Sequence, residues 1–255
     1  MHFAKGIKRA VIGSPLEQPA RLAQATLQGR GTRKNYFYDR QTVAVMRRVL
    51  RPGSSGVDVG AHEGMVLREL LRLSPEGHHV AYEPLPYLFD QLETEYGGLQ
   101  TVTVLPYALG DAPGSSSFSH IVSDPGMSGL RRRRDVPDDA RVETIEVAVE
   151  RLDDTLPAGV CPRFVKIDVE GAELLVLKGA ARTLGDYHPY VVFEHGRAAL
   201  ECYDVLPCDA FDLLDGFGLR VSLLASWLRG KAPLTRQAFM REVASDRNFY
   251  FLAHP

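Results

Sequence analysis

Short apolar runs alternate with stretches of helical periodicity along most of this chain. The runs predict buried strands, and the five clearest lie at 56–59, 79–83, 101–105, 164–168 and 189–194. Between the first three runs, apolar side chains recur every three or four residues and predict two helices, with faces formed by Val66, Leu67, Leu70, Leu71 and Leu73, and by Leu85, Leu88, Phe89, Leu92 and Tyr96. This alternation predicts an α/β fold built on a parallel sheet with right-handed crossovers.

The N-terminal region departs from this alternation. Residues 1–38 are broken repeatedly by glycine and proline, and we interpret them as an N-terminal cap or lid with a short helix at 16–27. A helix is predicted at 39–50, and it opens a single domain that covers 39–255.

The alternation is interrupted again at about 112–142, an irregular insertion that carries four consecutive arginines, Arg131 to Arg134. Strands predicted at 219–223 and 248–253 close the chain, and the short turn signals between elements favour an antiparallel last strand. After the insertion, apolar and polar positions alternate as in an antiparallel or edge strand, the apolar positions being Ile145, Val147 and Val149.

Composition limits the partners of this protein. The 255 residues include 30 Lys+Arg and 32 Asp+Glu, so the formal net charge of −2 gives no reason to expect nucleic acid or a membrane surface as a partner. No apolar run is long enough to span a bilayer. Three cysteines without metal-ligand spacing indicate reduced thiols, which predicts a cytoplasmic protein. A homodimer is left open.

The segment 57–64, with sequence VDVGAHEG, carries the strongest chemical signal. Gly60 and Gly64 lie where a strand leads into a helix, which is how a parallel sheet presents backbone N–H groups to a nucleoside ligand. Glu83 ends the next strand, where a carboxylate can accept hydrogen bonds from two ribose hydroxyls. Asp58 is expected to orient the loop or to reach the ligand's amino group. His62 replaces the glycine that a dinucleotide pyrophosphate requires, which favours S-adenosylmethionine over NAD or FAD.

Further polar residues follow the later strands, at the same predicted edge of the sheet. Asp168 and Glu170 follow the fourth strand, and Glu194 and His195 end the fifth. Each is a candidate to accept a proton from the acceptor molecule, and the ordinary pKa of histidine, about 6.5, suits His195 to this role. Alternatively, His195 holds the loop after its strand. Asp168 with Glu170 or Glu194 could bind Mg²⁺, but no spacing demands a metal, and we favour none.

Several blocks of this sequence together resemble the FkbM-type S-adenosylmethionine-dependent methyltransferases. The blocks are 57–64, 82–84, 108–111, 166–173 and 177–180, and the most specific of them is 166–173, with sequence KIDVEGAE. The resemblance implies a class I methyltransferase fold, in which a seven-stranded, mostly parallel sheet has an antiparallel last strand and helices on both faces. It also implies O-methylation of a hydroxyl group on a small metabolite, polyketide or sugar, with S-adenosylhomocysteine as the product.

The positions of polar residues and glycines at the strand ends predict which residues act. We expect the chemistry from Asp168, Glu170 and His195, and the cofactor contacts from Asp58, Gly60, Ala61, His62, Gly64, Glu83, Pro84, Ala108 and Asp168. Two other functions stay open, namely an NAD(P)-dependent oxidoreductase and a non-catalytic binding protein with the same fold. For Arg131 to Arg134 we favour a solvated loop over a lid that grips an acidic substrate.

Overall fold

The computed structural model describes residues 30–255 of the chain. The helix expected at 16–27, and most of the cap expected at 1–38, therefore lie outside the described residues. The chain divides into two compact units, of which one ends at Ala44 and the other runs from Val45 to Pro255. In the part that the structure describes, no helix is long and apolar enough to cross a membrane. The three cysteines are unpaired.

A seven-stranded sheet forms the centre of the second unit. Its strands are β1 (Ser55–Val59), β2 (His79–Tyr82), β3 (Val102–Leu105), β7 (Pro162–Ile167), β8 (Tyr190–Glu194), β9 (Arg220–Ser222) and β10 (Tyr250–His254). The strand order is β3-β2-β1-β7-β8-β10-β9. The predicted fold class is confirmed, since β10 runs antiparallel to both of its neighbours and the pairs from β3 to β8 are all parallel.

Helices connect these strands, as the spacing of apolar residues predicts. Those described are α1 (Arg30–Val49), α2 (Met65–Leu73), α3 (Pro86–Tyr96), α4 (Leu152–Thr155), α5 (Glu173–Gly179), α6 (Ala181–Tyr187), α7 (Arg197–Leu200), α8 (Asp209–Gly216), α9 (Leu224–Leu228) and α10 (Arg236–Ala244). The first begins nine residues earlier than the 39–50 helix that the sequence predicts.

The sheet has a hydrophobic core on each face because successive strand residues point in opposite directions. In β7, Val165 and Ile167 pack with Leu177 of α5, whereas Phe164 packs with Met46 of α1 and Leu70 of α2. Helices therefore cover both faces, and only the two edges where strands begin and end are left for polar groups.

A second, three-stranded sheet is formed by β4 (Ala108–Leu109), β5 (Gly114–Ile121) and β6 (Val142–Glu150), in the order β4-β6-β5. The alternation after the insertion is confirmed as an antiparallel strand, because β6 pairs with β5 in that direction. The expectation of a wholly irregular insertion is wrong, since β5 lies inside it. The segment GSSSFSHI holds four serines and just two residues of the β-branched and aromatic kind, Phe118 and Ile121, so its pairing with β6 decides its conformation.

Candidate active site

The loop after β1 owes its shape to close backbone contacts. Three residues in the loop have positive φ, with 78° at Gly60, 51° at His62 and 73° at Gly64. The N–H groups of Gly60 and Ala61 both donate to the Tyr82 carbonyl at 3.0 Å. A Cβ at position 60 would lie 1.9 Å from the Asp168 carbonyl oxygen. Glycine is therefore required at position 60 by the neighbouring strand end, whatever ligand the loop receives.

Glu83 follows β2 and holds this loop against the start of α3. Its Oε2 accepts from the His62 N–H at 2.8 Å, and its Oε1 accepts from the Leu85 N–H at 2.9 Å. Burial raises the pKa of Glu83 to about 7, against the lowering effect of these two hydrogen bonds. Each carboxylate oxygen accepts a second hydrogen bond readily, so Glu83 is still able to receive two hydroxyl groups.

At the middle of the sheet edge lies a group of polar residues that three strands contribute, β1, β7 and β10. Asp58 lies opposite Lys166 in the β1–β7 register, and Asp168 follows Lys166 by two residues, on the same face. The Lys166 Nζ donates to Asp168 Oδ2 at 2.8 Å, and the Tyr250 hydroxyl donates to the same oxygen. The Lys166 Nζ also lies 4.6 Å from the centre of the Tyr250 ring.

These neighbours give the two aspartates different protonation states. Burial by itself would raise the pKa of Asp168, but the Lys166 ammonium and the surrounding hydrogen bonds lower it to about 2. For Asp58 burial dominates and raises the pKa to about 7, against the attraction of Lys166. At neutral pH, Asp168 is a stable anion and Asp58 is close to its titration midpoint.

Glu170 and Glu194 join Asp168 in what we name the acid cluster. One ligand atom from each of the three lies within 4.8 Å of the other two. Burial and the Asp168 charge raise the pKa of Glu170 to about 8, and burial with the neighbouring carboxylates raises that of Glu194 well above its ordinary value. This crowding lets the cluster hold protons at a pH where exposed carboxylates are ionised.

Arg133 of the insertion neutralises part of this charge. Its Nη1 donates to Glu170 and lies 3.4 Å from Glu194 Oε1, and its Nη2 lies 2.7 Å from Asp135 Oδ2. Arg131 donates to the Cys202 carbonyl at 2.6 Å. The expectation of a solvated arginine run is therefore wrong for Arg133, whose side chain is 14% exposed, whereas Arg131 is exposed as expected.

The sequence matches the Methyltransferase FkbM domain family over residues 58–207, which is more than half of the chain. The chain belongs to this family.

Two relatives place this FkbM domain in context. Methyltransferase sdnD from Sordaria araneosa is 30% identical over 152 residues, which cover 48% of this chain and 59% of that protein. The match thus spans less than two thirds of the relative. The crystal structure of Methyltransferase FkbM from Methylobacillus flagellatus KT has 19% identity and a TM-score of 0.51, and the match covers 87% of this chain and 50% of that chain. This likeness shows the fold.

In this FkbM domain, His195 does not face the acid cluster as an exposed base would. Its side chain is fully buried, stacks on Phe239 with ring centres 5.5 Å apart, and places Nε2 3.2 Å from the Pro207 carbonyl. Burial lowers the pKa of His195 to about 4. This placement matches the alternative in which His195 holds the loop after β8, and we do not carry it forward as a proton acceptor.

Three further residues of the FkbM domain, Glu173, Ala108 and Pro84, lie at the margin of the site. Glu173 is fully buried, and its Oε1 accepts from the N–H groups of Val169 and Gly171, so it shapes the turn before α5. Ala108 lies in β4, where it packs in the core between the second sheet and α3. Pro84 is half-buried beside Glu83.

Lys166, Tyr250 and Arg133 are the site residues to which the sequence assigned no role. Lys166 carries a signal, because a lysine within the apolar segment Phe164–Ile167 must find a buried partner. Tyr250 carries none, since its position follows only from the pairing of β10 with β8.

Several buried polar atoms at this edge lack a hydrogen-bond partner among the described residues. They include Asp58 Oδ2, His62 Nε2 and Asp168 Oδ1, with Glu173 Oε2 beside them. Buried polar atoms are nearly always hydrogen-bonded, so atoms left without a partner at the same sheet edge are the mark of a ligand site. Donor and acceptor atoms of this kind fit the amino group and hydroxyls of an adenosyl amino acid.

Proposed function

We propose that this chain is an S-adenosylmethionine-dependent methyltransferase that transfers the methyl group to a hydroxyl of a small metabolite, such as a secondary metabolite, polyketide or sugar. The observation that carries the proposal is the set of unpartnered buried atoms of Asp58, His62 and Asp168 in a chain of the FkbM family. The catalytic domain of this proposal is 39–255, with 1–38 as a cap, and the unpaired cysteines suit the cytoplasm.

The loop after β1 and Glu83 would hold the cofactor. Glu83 would accept hydrogen bonds from the ribose hydroxyls, and Asp58 would accept from the amino group of the methionine tail. Gly60, Ala61, His62 and Gly64 would line the path between these two contacts. When bound, the sulfonium supplies a methyl carbon that is already activated for displacement. The protein therefore needs to supply only position and proton acceptance.

The acid cluster would act on the acceptor molecule. Asp168 Oδ1 would accept a hydrogen bond from a polar group of the acceptor that neighbours the reacting hydroxyl, and would so fix the hydroxyl oxygen in line with the methyl carbon. The new C–O bond would form as the methyl–sulfur bond breaks and neutral S-adenosylhomocysteine leaves. The hydroxyl proton would pass to the ionised form of Glu170, whose pKa is raised to about 8 by burial and the Asp168 charge. The raised pKa makes its ionised form a stronger base than an ordinary carboxylate.

The acid cluster is also the candidate site for a Mg²⁺ ion. Asp168, Glu170 and Glu194 present oxygen ligands of the type that Mg²⁺ prefers. The Arg133 guanidinium, however, already balances Glu170 and Glu194. We therefore favour a reaction without Mg²⁺, in which the Arg133 guanidinium is the cation that balances the acid cluster.

Calorimetry tests the proposal directly. S-adenosylmethionine and S-adenosylhomocysteine should bind the full chain, and NAD should not. Glu83→Ala should weaken both sulfur nucleosides by about fivefold or more, because a charge-assisted hydrogen bond is lost. A screen of hydroxylated metabolites with a labelled methyl donor would then identify the acceptor.

The exposed acid Glu76 provides the matched control. Glu76→Ala removes the same charge, and it should leave the affinity unchanged. Thermal unfolding without ligand shows whether the loop after β1 survives the Glu83 substitution. Binding of NAD without binding of the sulfur nucleosides would overturn the proposal in favour of an oxidoreductase, and binding of neither would favour a non-catalytic protein.

A further inference from the structure

A cavity lies at the other edge of the main sheet, where β1, β7 and β8 begin. Its volume is about 340 Å³, within the range of small-molecule sites. The length of β1 separates it from the acid cluster by about 15 Å. We name it the arginine pocket, and its lining includes Arg48, Arg51, Ser54, Arg163, Tyr190 and Trp227.

Three guanidinium groups line this pocket without a carboxylate partner. Among the described residues, Arg48, Arg51 and Arg163 take part in no ion pair, although they border the same cavity. Their hydrogen bonds that are seen go to backbone carbonyls, from Arg48 to Leu228 at 2.9 Å and from Arg51 to Leu50 at 3.0 Å. Like charges that share a cavity repel one another, and an anion bound between them would remove that repulsion.

Two of these arginines place their guanidinium groups over aromatic rings. The Arg48 guanidinium lies 5.1 Å from the centre of the Trp227 ring, and the Arg163 guanidinium lies 4.9 Å from that of Tyr190. The two rings contact each other edge to face at 5.6 Å. Stacked guanidinium groups keep their N–H edges available, and they lose little freedom when they bind an oxyanion.

We propose that the arginine pocket binds a small molecule with two linked phosphate groups. Two such groups carry roughly three negative charges, which match the three guanidinium groups. Planar guanidinium groups suit phosphate oxygens because they donate two parallel hydrogen bonds. The Ser54 hydroxyl adds a further donor at the rim. This site is separate from the cofactor and acceptor positions at the opposite edge.

Inorganic pyrophosphate is the probe, and the protein contains its own reporter. Trp227 is the single tryptophan of the chain and lines the pocket. Titration of the full chain at constant ionic strength should give a saturable change in tryptophan fluorescence and a matching calorimetric isotherm. Arg48→Gln and Arg163→Gln should each weaken pyrophosphate binding by about tenfold or more. Binding of S-adenosylhomocysteine should not change in either variant.

Arg141→Gln is the matched control, since it removes one charge from an exposed arginine that directly precedes β6 of the second sheet. It should change the pyrophosphate affinity by less than about twofold because surface charges are screened. Trp227→Phe should abolish the fluorescence change and keep the heat of binding. The proposal fails if no isotherm saturates below about 10 mM. It also fails if Arg141→Gln weakens binding as much as Arg48→Gln does, or if a single-stranded oligonucleotide binds more tightly than pyrophosphate.

Discussion

Buried carboxylates at the carboxyl edge of the sheet differ in their protonation because each has different neighbours. Asp168 is paired with Lys166 and ionises readily, whereas Glu173 has no cation beside it and its Oε2 has no hydrogen-bond partner among the described residues. Burial raises the pKa of Glu173 to about 7, against the hydrogen bonds that it accepts from backbone N–H groups. At the scale of single residues, the site therefore contains both a fixed anion and acids that titrate near neutrality.

This difference predicts a pH dependence of stability. A raised pKa means that the folded state keeps a proton on Glu173 that the unfolded chain releases above about pH 4.5, so stability falls as the pH rises from about 4.5 to 7. Glu173→Gln cannot lose this proton. The difference in Tm, variant minus wild type, should therefore increase between pH 5 and pH 8, by on the order of 5 °C.

Thermal unfolding followed by near-ultraviolet circular dichroism measures this difference. Glu93→Gln serves as the control because Glu93 is exposed, and its Tm difference should be constant with pH. A constant difference for Glu173→Gln as well would show that Glu173 titrates alike in the folded and unfolded states.

At the scale of elements, the part of the insertion between β5 and β6, residues 122–141, is held by a few specific contacts. Gly129 and Ser119 exchange backbone hydrogen bonds at 2.8 and 3.2 Å, which ties this segment to β5. The Arg133 side chain, only 14% exposed, then joins it to Glu170 and Glu194. Arg133 therefore fastens this segment to the site, because loss of its side chain would leave Glu170 and Glu194 without their cation.

Arg133→Gln should release the insertion locally. Amide hydrogen exchange over 129–136 should become about tenfold faster, because a partly buried ion pair is lost and the opening free energy falls by about 1.4 kcal/mol. Arg134→Gln changes the same charge one residue away, but Arg134 is 69% exposed and its pair with Glu201 contributes little. Equal exchange rates in the two variants would contradict a fastening role for Arg133.

At the scale of the whole molecule, the last strand, β10, contributes both to the candidate active site and to the hydrophobic core. β10 lies between β8 and β9, which places Tyr250 beside Asp168 and Phe251 in the core. The Phe251 ring lies 4.5 Å from that of Phe239 and 5.9 Å from that of Phe193, measured between ring centres. The C-terminal residues therefore contribute both to the stability of the sheet and to the site at its edge.

Phe251→Ala should lower the free energy of unfolding by about 3–5 kcal/mol, since it removes a fully buried aromatic ring and leaves a cavity. Phe251→Leu keeps most of the volume and should cost less than about 1.5 kcal/mol. Urea unfolding measures both values. A small loss in the alanine variant would mean that the core closes around the missing ring.

Periodicity and the spacing of a few residues were enough to predict much of the fold. The strands β1, β2, β3, β7 and β8 follow from apolar runs, and the antiparallel last strand follows from the turn signals around it. The loop 57–64 and Glu83 could also be predicted as site residues. Each follows one of two successive strands, and the α/β alternation makes such strands neighbours in a parallel sheet. The strand β5 could not be predicted from the sequence, since its serine-rich segment becomes a strand through pairing with β6.

The sequence by itself thus determined the fold class, the family, and the edge of the sheet at which the polar residues gather. Only the tertiary structure decided that Lys166 and Tyr250 share one oxygen of Asp168, that Arg133 reaches the acid cluster, and that the His195 ring turns into the core. The physical reason is that periodicity records which face of its own element a residue occupies. Contacts between distant elements depend on strand order and packing, which the whole chain sets together.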